Sequence, residues 1–408
     1  MNGSRRRGRG DATVERQIVG SSKLNMRDDE LPSAERRLDM PKVEITLEEE
    51  TYNKLVGLSK KTGLSVGSLL ETLLESSLVN MDELADEIIS HTTRVCGQGN
   101  PTKPVHYPGG DWWIKDEIID LLIKSECKTL VEVFGGSGVI SMYAPRSIFK
   151  FIIYNDKDSL LTNFFTVLKE RPKELMRGLA LLPVSRELYY SFVKLIESGE
   201  IRRLTPLERA VIFFYVNRVS VDGKPKGGFA VHTGADGTTT ATRFRHHMLS
   251  LIEYAKRWAD VTIENRDFRD VIKLYDRDFV VFYCDPPFLS IEADRGGYYS
   301  VPFTPGDMQA LLKALSNIKG KFVLKLHEDQ LKVPFISDWV RRYNVKVVEH
   351  FKIMDTVVEE KRPKQRTLLV YNYPSLHSRA PHSSMGGLER WLTGENKSNK
   401  LCALREED

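Results

Sequence analysis

An apolar run, Val280-Val281-Phe282-Tyr283-Cys284, ends abruptly in Asp285-Pro286-Pro287-Phe288. The run has the length and composition of a buried strand. Pro286 cannot donate to a sheet ladder, so the strand stops there. Asp285 is thereby placed at a strand's carboxyl end, the edge at which open α/β sheets bind ligands. Such a site suits methyl transfer to an exocyclic amine whose lone pair is delocalised into an aromatic ring. The carboxylate would accept one N–H and the Pro286 carbonyl the other, drawing nitrogen toward tetrahedral geometry, while Phe288 stacks on the base. Positioning and preorganised acceptors matter more here than basicity. For the tetrapeptide alone, a strand–turn junction whose Asp caps a neighbour is the alternative.

Other elements must hold a donor against that edge. Thr129 to Phe134 reads as a strand running into Gly135-Gly136-Ser137-Gly138, where glycines let backbone approach a ligand closely. Dinucleotide enzymes use similar turns, so this loop alone is not specific. The next strand, Phe149 to Tyr154, ends in Asn155-Asp156, where α/β nucleotide sites place an acid to accept from ribose hydroxyls. A helix through Leu160, Phe164 and Leu168 follows and stops at Pro172, and Val261 to Phe268 is a further strand ending in an acid. Helix capping is the other reading of Asp156. Thr304, Pro305 and Asp307 open a helix to Leu315, and Lys321 to Leu326, Val345 to Phe351 and Thr367 to Tyr371 are strands, the last two a closing antiparallel hairpin.

The wording of these segments resembles one family. Asp-Pro-Pro-Phe is a form of the amino-methyltransferase signature, with Asp285 marking mainly adenine-N6 enzymes, and Phe134-Gly135-Gly136-Ser137-Gly138 is similar to their S-adenosylmethionine loop. Tyr107-Pro108-Gly109-Gly110 resembles their amino-terminal cofactor motif, in which a lysine normally follows the glycines; Asp111 stands there instead, leaving one cofactor or DNA contact open. The resemblance implies Asp156 as ribose ligand, Asp267 as acceptor from the cofactor's adenine amino group, and Phe268 as the residue packing on that ring. Asn217 to Gly223 and Gly227-Gly228-Phe229 resemble the target-recognition segment, and the order of motifs is that of the D12 (alpha, Dam-like) class. The implied architecture is an α/β, Rossmann-like S-adenosylmethionine-dependent methyltransferase sheet carrying an inserted, mainly helical target-recognition subdomain. The implied function is methylation of adenine N6 in double-stranded DNA, with the base flipped out, as in restriction–modification enzymes. Related signatures serve RNA adenine or protein glutamine methylation, although glutamine enzymes typically carry Asn in place of Asp285. A dimeric DNA-binding regulator with a weak or inactive catalytic domain is the alternative from another class.

With 408 residues, 41% of them apolar, the chain has room for two or three domains, and a net charge of +4 says little by itself. Cys96, Cys127, Cys284 and Cys402 are too dispersed for a zinc knuckle or a disulfide framework, and no His or Cys cluster suggests a metal. No run of about 18 apolar residues occurs, so the expectation is a cytoplasmic protein of a prokaryotic or virus-infected host cell.

Residues 1–40, with Arg5, Arg6, Arg7 and Arg9, lack periodicity and read as a disordered basic terminus. Residues 41–90 resemble a ribbon-helix-helix module: an alternating strand from Lys42 to Leu47, then helices from Glu48 to Lys61 and from Ser65 onward. Such a module cannot bury a core alone, so 42–78 is a homodimerisation candidate, with Lys42 and Thr46 facing DNA and Glu44 an unusual acid among them; simple dimerisation is the other reading. Residues 91–104 are taken as a linker, 105–373 as the catalytic domain and 374–408 as a tail. Residues 173–260 form the insertion, and Arg202 to Arg257 contains ten Lys or Arg against four Asp or Glu, a surface of the kind that tracks phosphate. Arg218, Lys224, Lys226, Arg243 and Arg245 are its candidate DNA contacts.

Overall fold

The computed structural model describes residues 49–96, 103–107, 110–223, 227–234, 237–289, 302–351 and 364–374. The chain divides into two compact units, Met1–Asp86 and Glu87–Asp408. In the first, the helix Glu49–Thr62 ends at Gly63, whose φ of 76° is a left-handed turn that glycine adopts without strain. Ser65 then caps the next helix, its Oγ accepting from the Ser68 backbone N–H at 3.0 Å. The expected strand from Lys42 to Leu47, and with it Lys42, Glu44 and Thr46, lies outside the described residues. The second helix runs unbroken from Val66 to Cys96, so residues 91–96, expected as the start of a linker, are helical instead. No Gly or Pro interrupts that stretch after Gly67, so nothing in it stops the helix.

The second unit is built on a seven-stranded sheet in the order β3-β2-β1-β4-β5-β7-β6. Its strands are β1 (Thr129–Glu132), β2 (Phe151–Asn155), β3 (Val261–Glu264), β4 (Val280–Cys284), β5 (Lys321–His327), β6 (Asn344–Phe351) and β7 (Lys364–Tyr371). The first five are mutually parallel, and β7 pairs antiparallel with both β5 and β6. This is the expected closing hairpin, and the α/β, Rossmann-like architecture expected from the sequence is the one observed.

One order of pairing matters most for function. The chain winds outward from β1 through β2 to β3, then returns to place β4 on the other side of β1, which makes the carboxyl ends of β1 and β4 the switch point where α/β sheets bind ligands. The register aligns Glu132 with Tyr283, and the Val133 N–H donates to the Tyr283 carbonyl at 2.8 Å. The glycine loop and Asp285 therefore leave the sheet side by side. One face of the sheet buries Val131, Phe282, Phe322, Leu324 and Val370 under the helices Phe268–Tyr275, Pro305–Leu315 and Pro334–Val340. Thr304 caps the second of these, as expected, and Asp307 returns the bond to make a reciprocal capping box.

The insertion is mainly helical, with helices Pro172–Ala180, Arg186–Glu197, Pro206–Val219, Thr240–Leu249 and Leu251–Trp258. It packs against the helix Ser159–Glu170 that follows β2. Phe164 lies nearly parallel to Phe214 at 5.6 Å, and Trp258 stacks on Phe165 at 4.1 Å. Aromatic pairs of this kind add about 0.5–1.5 kcal/mol each beyond their buried area. Pro172 does not simply end the preceding helix, which stops at Glu170; it opens the next one at the first helical position, where a missing N–H costs nothing. Among the described residues no helix is long and apolar enough to cross a membrane.

Candidate active site

The strand tips meet at one cleft of about 920 Å³, open solvent at its mouth included, lined by Tyr107, Gly110, Asp111, Phe134 to Ser137, Asp156, Asp267, Phe268, Asp285, Pro287, Phe288 and Phe303, among others. It thus gathers residues from four strand ends, from Phe134 after β1 to Asp285 after β4, about 150 positions apart in sequence. Of the expected site residues, Pro286 is buried beside the cleft and Gly138 sits behind it, while Pro108 and Gly109 lie outside the described residues.

The glycines are required by their neighbours. A Cβ on Gly135 would come within 2.0 Å of the Tyr154 ring, and one on Gly138, whose φ is 66°, within 2.5 Å of Trp258. Tyr154 is itself pinned, its hydroxyl donating to the Gly136 carbonyl at 2.9 Å. Asp156 accepts from the Gly136 N–H at 2.9 Å and from the Asp158 N–H at 2.8 Å. It therefore shapes the glycine loop as well as lining the cleft, and burial lifts its carboxyl to about 6 despite those donors. Asn155 ties the tips of β1 and β3 together, donating to the Val133 carbonyl at 2.9 Å and accepting from the Arg266 N–H at 2.9 Å.

Asp267 caps the helix Phe268–Tyr275 and is paired with Lys157 at 2.9 Å and Arg269 at 3.0 Å. Phe268 is buried, 5.5 Å from Phe134, and Phe303 completes an aromatic trio at 5.7 Å from Phe134 and 6.0 Å from Phe268. The place of Phe303 in this wall was not visible in the sequence, where it marks only the approach to a helix.

Asp285 and Asp111 share one ammonium, that of Lys325 on β5. Its Nζ lies 2.6 Å from Asp111 Oδ1 and 2.8 Å from Asp285 Oδ2, and the Tyr283 hydroxyl donates to Asp111 Oδ2 at 2.8 Å. The cation beside Asp111 thus comes from β5, far along the sequence from the glycines. Burial raises the Asp285 carboxyl to about 7, with Lys325 opposing and Asp111 reinforcing that shift. Burial would likewise lower the Lys325 ammonium, but the two carboxylates outweigh it and hold it above its ordinary value. Asp285 Oδ1 is shielded from water and has no hydrogen-bond partner among the described residues. Leaving a charged acceptor so costs about 1–3 kcal/mol or more, which marks it as awaiting a donor. Phe288 borders the same cleft, edge-on to His327 at 5.9 Å.

Behind this cluster, Glu132 Oε2 on β1 accepts from the backbone N–H of Ser141 at 2.9 Å and from its hydroxyl. Burial pushes Glu132 from 4.5 up to about 8. Because the folded value lies above the unfolded one, its protonation favours the fold at low pH, and that contribution is lost as pH rises from about 4.5 through about 8. Glu132→Gln should therefore match the wild type near pH 4.5 and exceed its stability by roughly 4 kcal/mol at pH 8. Urea unfolding at both pH values measures this; an equal difference at the two would show that Glu132 does not titrate as described.

Two of the expected DNA contacts point inward. Arg218 is only 8% exposed, and its guanidinium donates to the carbonyls of Lys103 and Pro104, clamping the segment that enters the domain. Arg245 donates to the carbonyls of Ala180 at 2.7 Å and Leu182 at 3.4 Å. Both are corrections to the phosphate-facing role expected from charge. Arg243 is exposed, whereas Lys224 and Lys226 lie outside the described residues. Arg218→Ala should cost about 2–4 kcal/mol of stability, since it leaves buried carbonyls unpaired. It should leave the salt dependence of DNA binding unchanged, whereas loss of a phosphate contact would reduce that slope by about one.

Among the described residues no group of three or more His, Cys, Asp or Glu side chains is placed to hold a metal ion. The fold and the cleft define a methyltransferase of the Rossmann-like kind. The sequence matches the D12 class N6 adenine-specific DNA methyltransferase family over residues 107–354, well over half of the chain, and the protein belongs to that family. It is accordingly a DNA adenine-N6 methyltransferase, and a methyl donor is part of its reaction. The DNA adenine methylase of Escherichia coli K12 is 26% identical over 259 residues, covering 60% of this chain and 85% of that protein. That of Haemophilus influenzae is 22% identical, covering 64% and 91%, and the type II methyltransferase M1.LlaDCHI of Lactococcus lactis subsp. cremoris is 23% identical, covering 59% and 84%.

Proposed function

We propose that the methyl donor is S-adenosyl-L-methionine, bound over the glycine loop, and that the target adenine is flipped out of double-stranded DNA to meet it at Asp285. The observation that carries this reading is the buried, unpartnered Asp285 Oδ1 at the edge of a cleft whose other walls suit an adenosine. The donor set fits: Asp156 for ribose hydroxyls, Asp267 for an adenine amino group, Phe134, Phe268 and Phe303 for a purine face, and Tyr107 with Gly110 near the glycine loop. When bound, S-adenosyl-L-methionine would supply an electrophilic methyl group on a sulfonium, whose sulfur keeps the pair of the broken C–S bond and leaves as a neutral thioether.

The remaining work falls to the protein. Asp285 Oδ1 accepts one N6 hydrogen and the Pro286 carbonyl the other, which localises the nitrogen lone pair toward the methyl group. Phe288 stacks on the flipped base and holds its plane. The amine's surplus proton leaves toward Asp285 as the new bond forms. Because the strand tips fix these acceptors before the base arrives, little reorganisation accompanies reaction. The exposed Arg243, with Lys224 and Lys226, is assigned to the phosphate backbone, and residues 42–78 to homodimerisation on their sequence pattern alone.

Incubating the full chain with S-adenosyl-L-methionine labelled in its methyl group and a mixed-sequence duplex, followed by nuclease digestion, tests the reading. It predicts label in N6-methyladenine. Label confined to cytosine, or transfer to RNA or protein but not to duplex DNA, would refute it.

A further inference from the structure

We infer that Lys325 is a positioning residue for methyl transfer, its buried ammonium clamping Asp111 and Asp285 so that the second oxygen of Asp285 is presented to the amine of the target base. This deepens the proposed function and rests on Asp285 being the acceptor.

Three observations carry it. First, the parallel register of β4 and β5 aligns Cys284 with Leu324, so the next residue on each strand, Asp285 and Lys325, meet at the sheet's carboxyl edge. Second, each partner is fixed in turn. Lys325 is 5% exposed, its Nζ holds Asp285 Oδ2 at 2.8 Å and Asp111 Oδ1 at 2.6 Å, and the Tyr283 hydroxyl holds the other oxygen of Asp111 at 2.8 Å. Of the four carboxylate oxygens, Asp285 Oδ1 alone lacks a partner among the described residues. Third, a buried ion cluster is a poor device for stability, because apolar residues of similar volume usually serve as well or better. Its position on the wall of the reaction cleft points to function.

The groups that face Asp285 are Lys325 from β5, Asp111 from the turn after the glycines, and Glu132, Tyr283 and Cys284 from β1 and β4. Burial and Asp111 favour the protonated acid and Lys325 favours the carboxylate. Removing the ammonium would leave Asp285 protonated at neutral pH, with its oxygens no longer oriented. Removing the Asp111 charge would do the opposite to its ionisation.

The test is the single-turnover rate of methyl transfer to duplex DNA between about pH 5.5 and 9.5, for the wild type, Lys325→Met, Lys325→Arg and Asp111→Asn. The wild-type rate should rise with a midpoint about 7. Lys325→Met should lose at least tenfold at pH 7, move the midpoint up by about a unit or more, and recover part of its rate at pH 9, while S-adenosyl-L-methionine binding changes less than about threefold. Lys325→Arg should keep a near-wild-type midpoint, and Asp111→Asn should move it down. If Lys325→Met does not fold, the last two profiles decide. Midpoints that stay fixed, that move the same way in Lys325→Met and Asp111→Asn, or a Lys325→Met enzyme with the wild-type rate at pH 7 would overturn the assignment. A wild type that methylates no adenine overturns the functional reading beneath it, a result distinguishable from the others because no variant is needed to see it.

Discussion

Asp285→Ala should lower the rate of adenine methylation by about 10³-fold while changing the affinity for the methyl donor less than a few-fold. The split follows from the geometry. Asp285 stands at the tip of β4, whereas the loop that would hold the donor leaves β1 and is shaped by Asp156, Tyr154 and Trp258. Removing the carboxylate takes away an acceptor that matters as the amine becomes tetrahedral, and leaves the loop untouched. Single-turnover incorporation of labelled methyl, beside a binding isotherm for the donor, separates the two effects. An alanine variant retaining more than about a tenth of the wild-type rate would remove Asp285 from the chemistry.

Gly135→Ala carries the second large effect. Its new methyl would sit 2.0 Å from Tyr154 Cε2 and 2.5 Å from two further ring atoms, far inside contact distance. The ring cannot swing aside cheaply: it is fully buried, lies 5.0 Å from both Phe165 and Trp258, and its hydroxyl holds Gly136. Overpacking of this kind costs about 1–3 kcal/mol, a drop of roughly 2–5 °C in Tm for a unit of this size. Any relief must come from the loop itself, so donor affinity should fall at least tenfold as well. A Gly135→Ala protein with wild-type Tm and donor affinity would show that the close approach of loop and ring is not required.

Much of this was legible along the chain. A strand that ends at Pro286, glycines after β1, acids after β2 and β3, and an N-cap at Thr304 are local patterns, and local patterns survive being read one residue at a time. What escaped depends on pairing across the sheet. Lys325 interrupts the apolar run Phe322 to Leu326, which was the available signal, but only the β4–β5 register reveals that it meets Asp285. Glu132 is likewise a lone acid in the apolar strand β1, and its burial depends on the helix that carries Ser141. Arg218 and Arg245 were misplaced because charge says nothing about direction. The helix Pro206–Val219 buries residues from Ala210 to Val219 on nearly every side, so it offers no polar face from which to infer where Arg218 points. The tight packing of the insertion, too, follows from tertiary contacts among Phe164, Phe165, Phe214 and Trp258 rather than from any motif.

The central claim is spatial: donor and acceptor face each other across the switch point between β1 and β4. The most direct measurement is a crystal structure of the protein with sinefungin, a donor analogue carrying an amine where the reactive methyl group would be. The nucleoside is expected against the wall formed by Phe134, Phe268 and Phe303, its ribose at Asp156 and the analogue's amine within about 4 Å of Asp285 Oδ1, a hydrogen-bond or close-contact distance. An analogue seated elsewhere, or one whose amine points away from Asp285 with protein filling the space between, would contradict it.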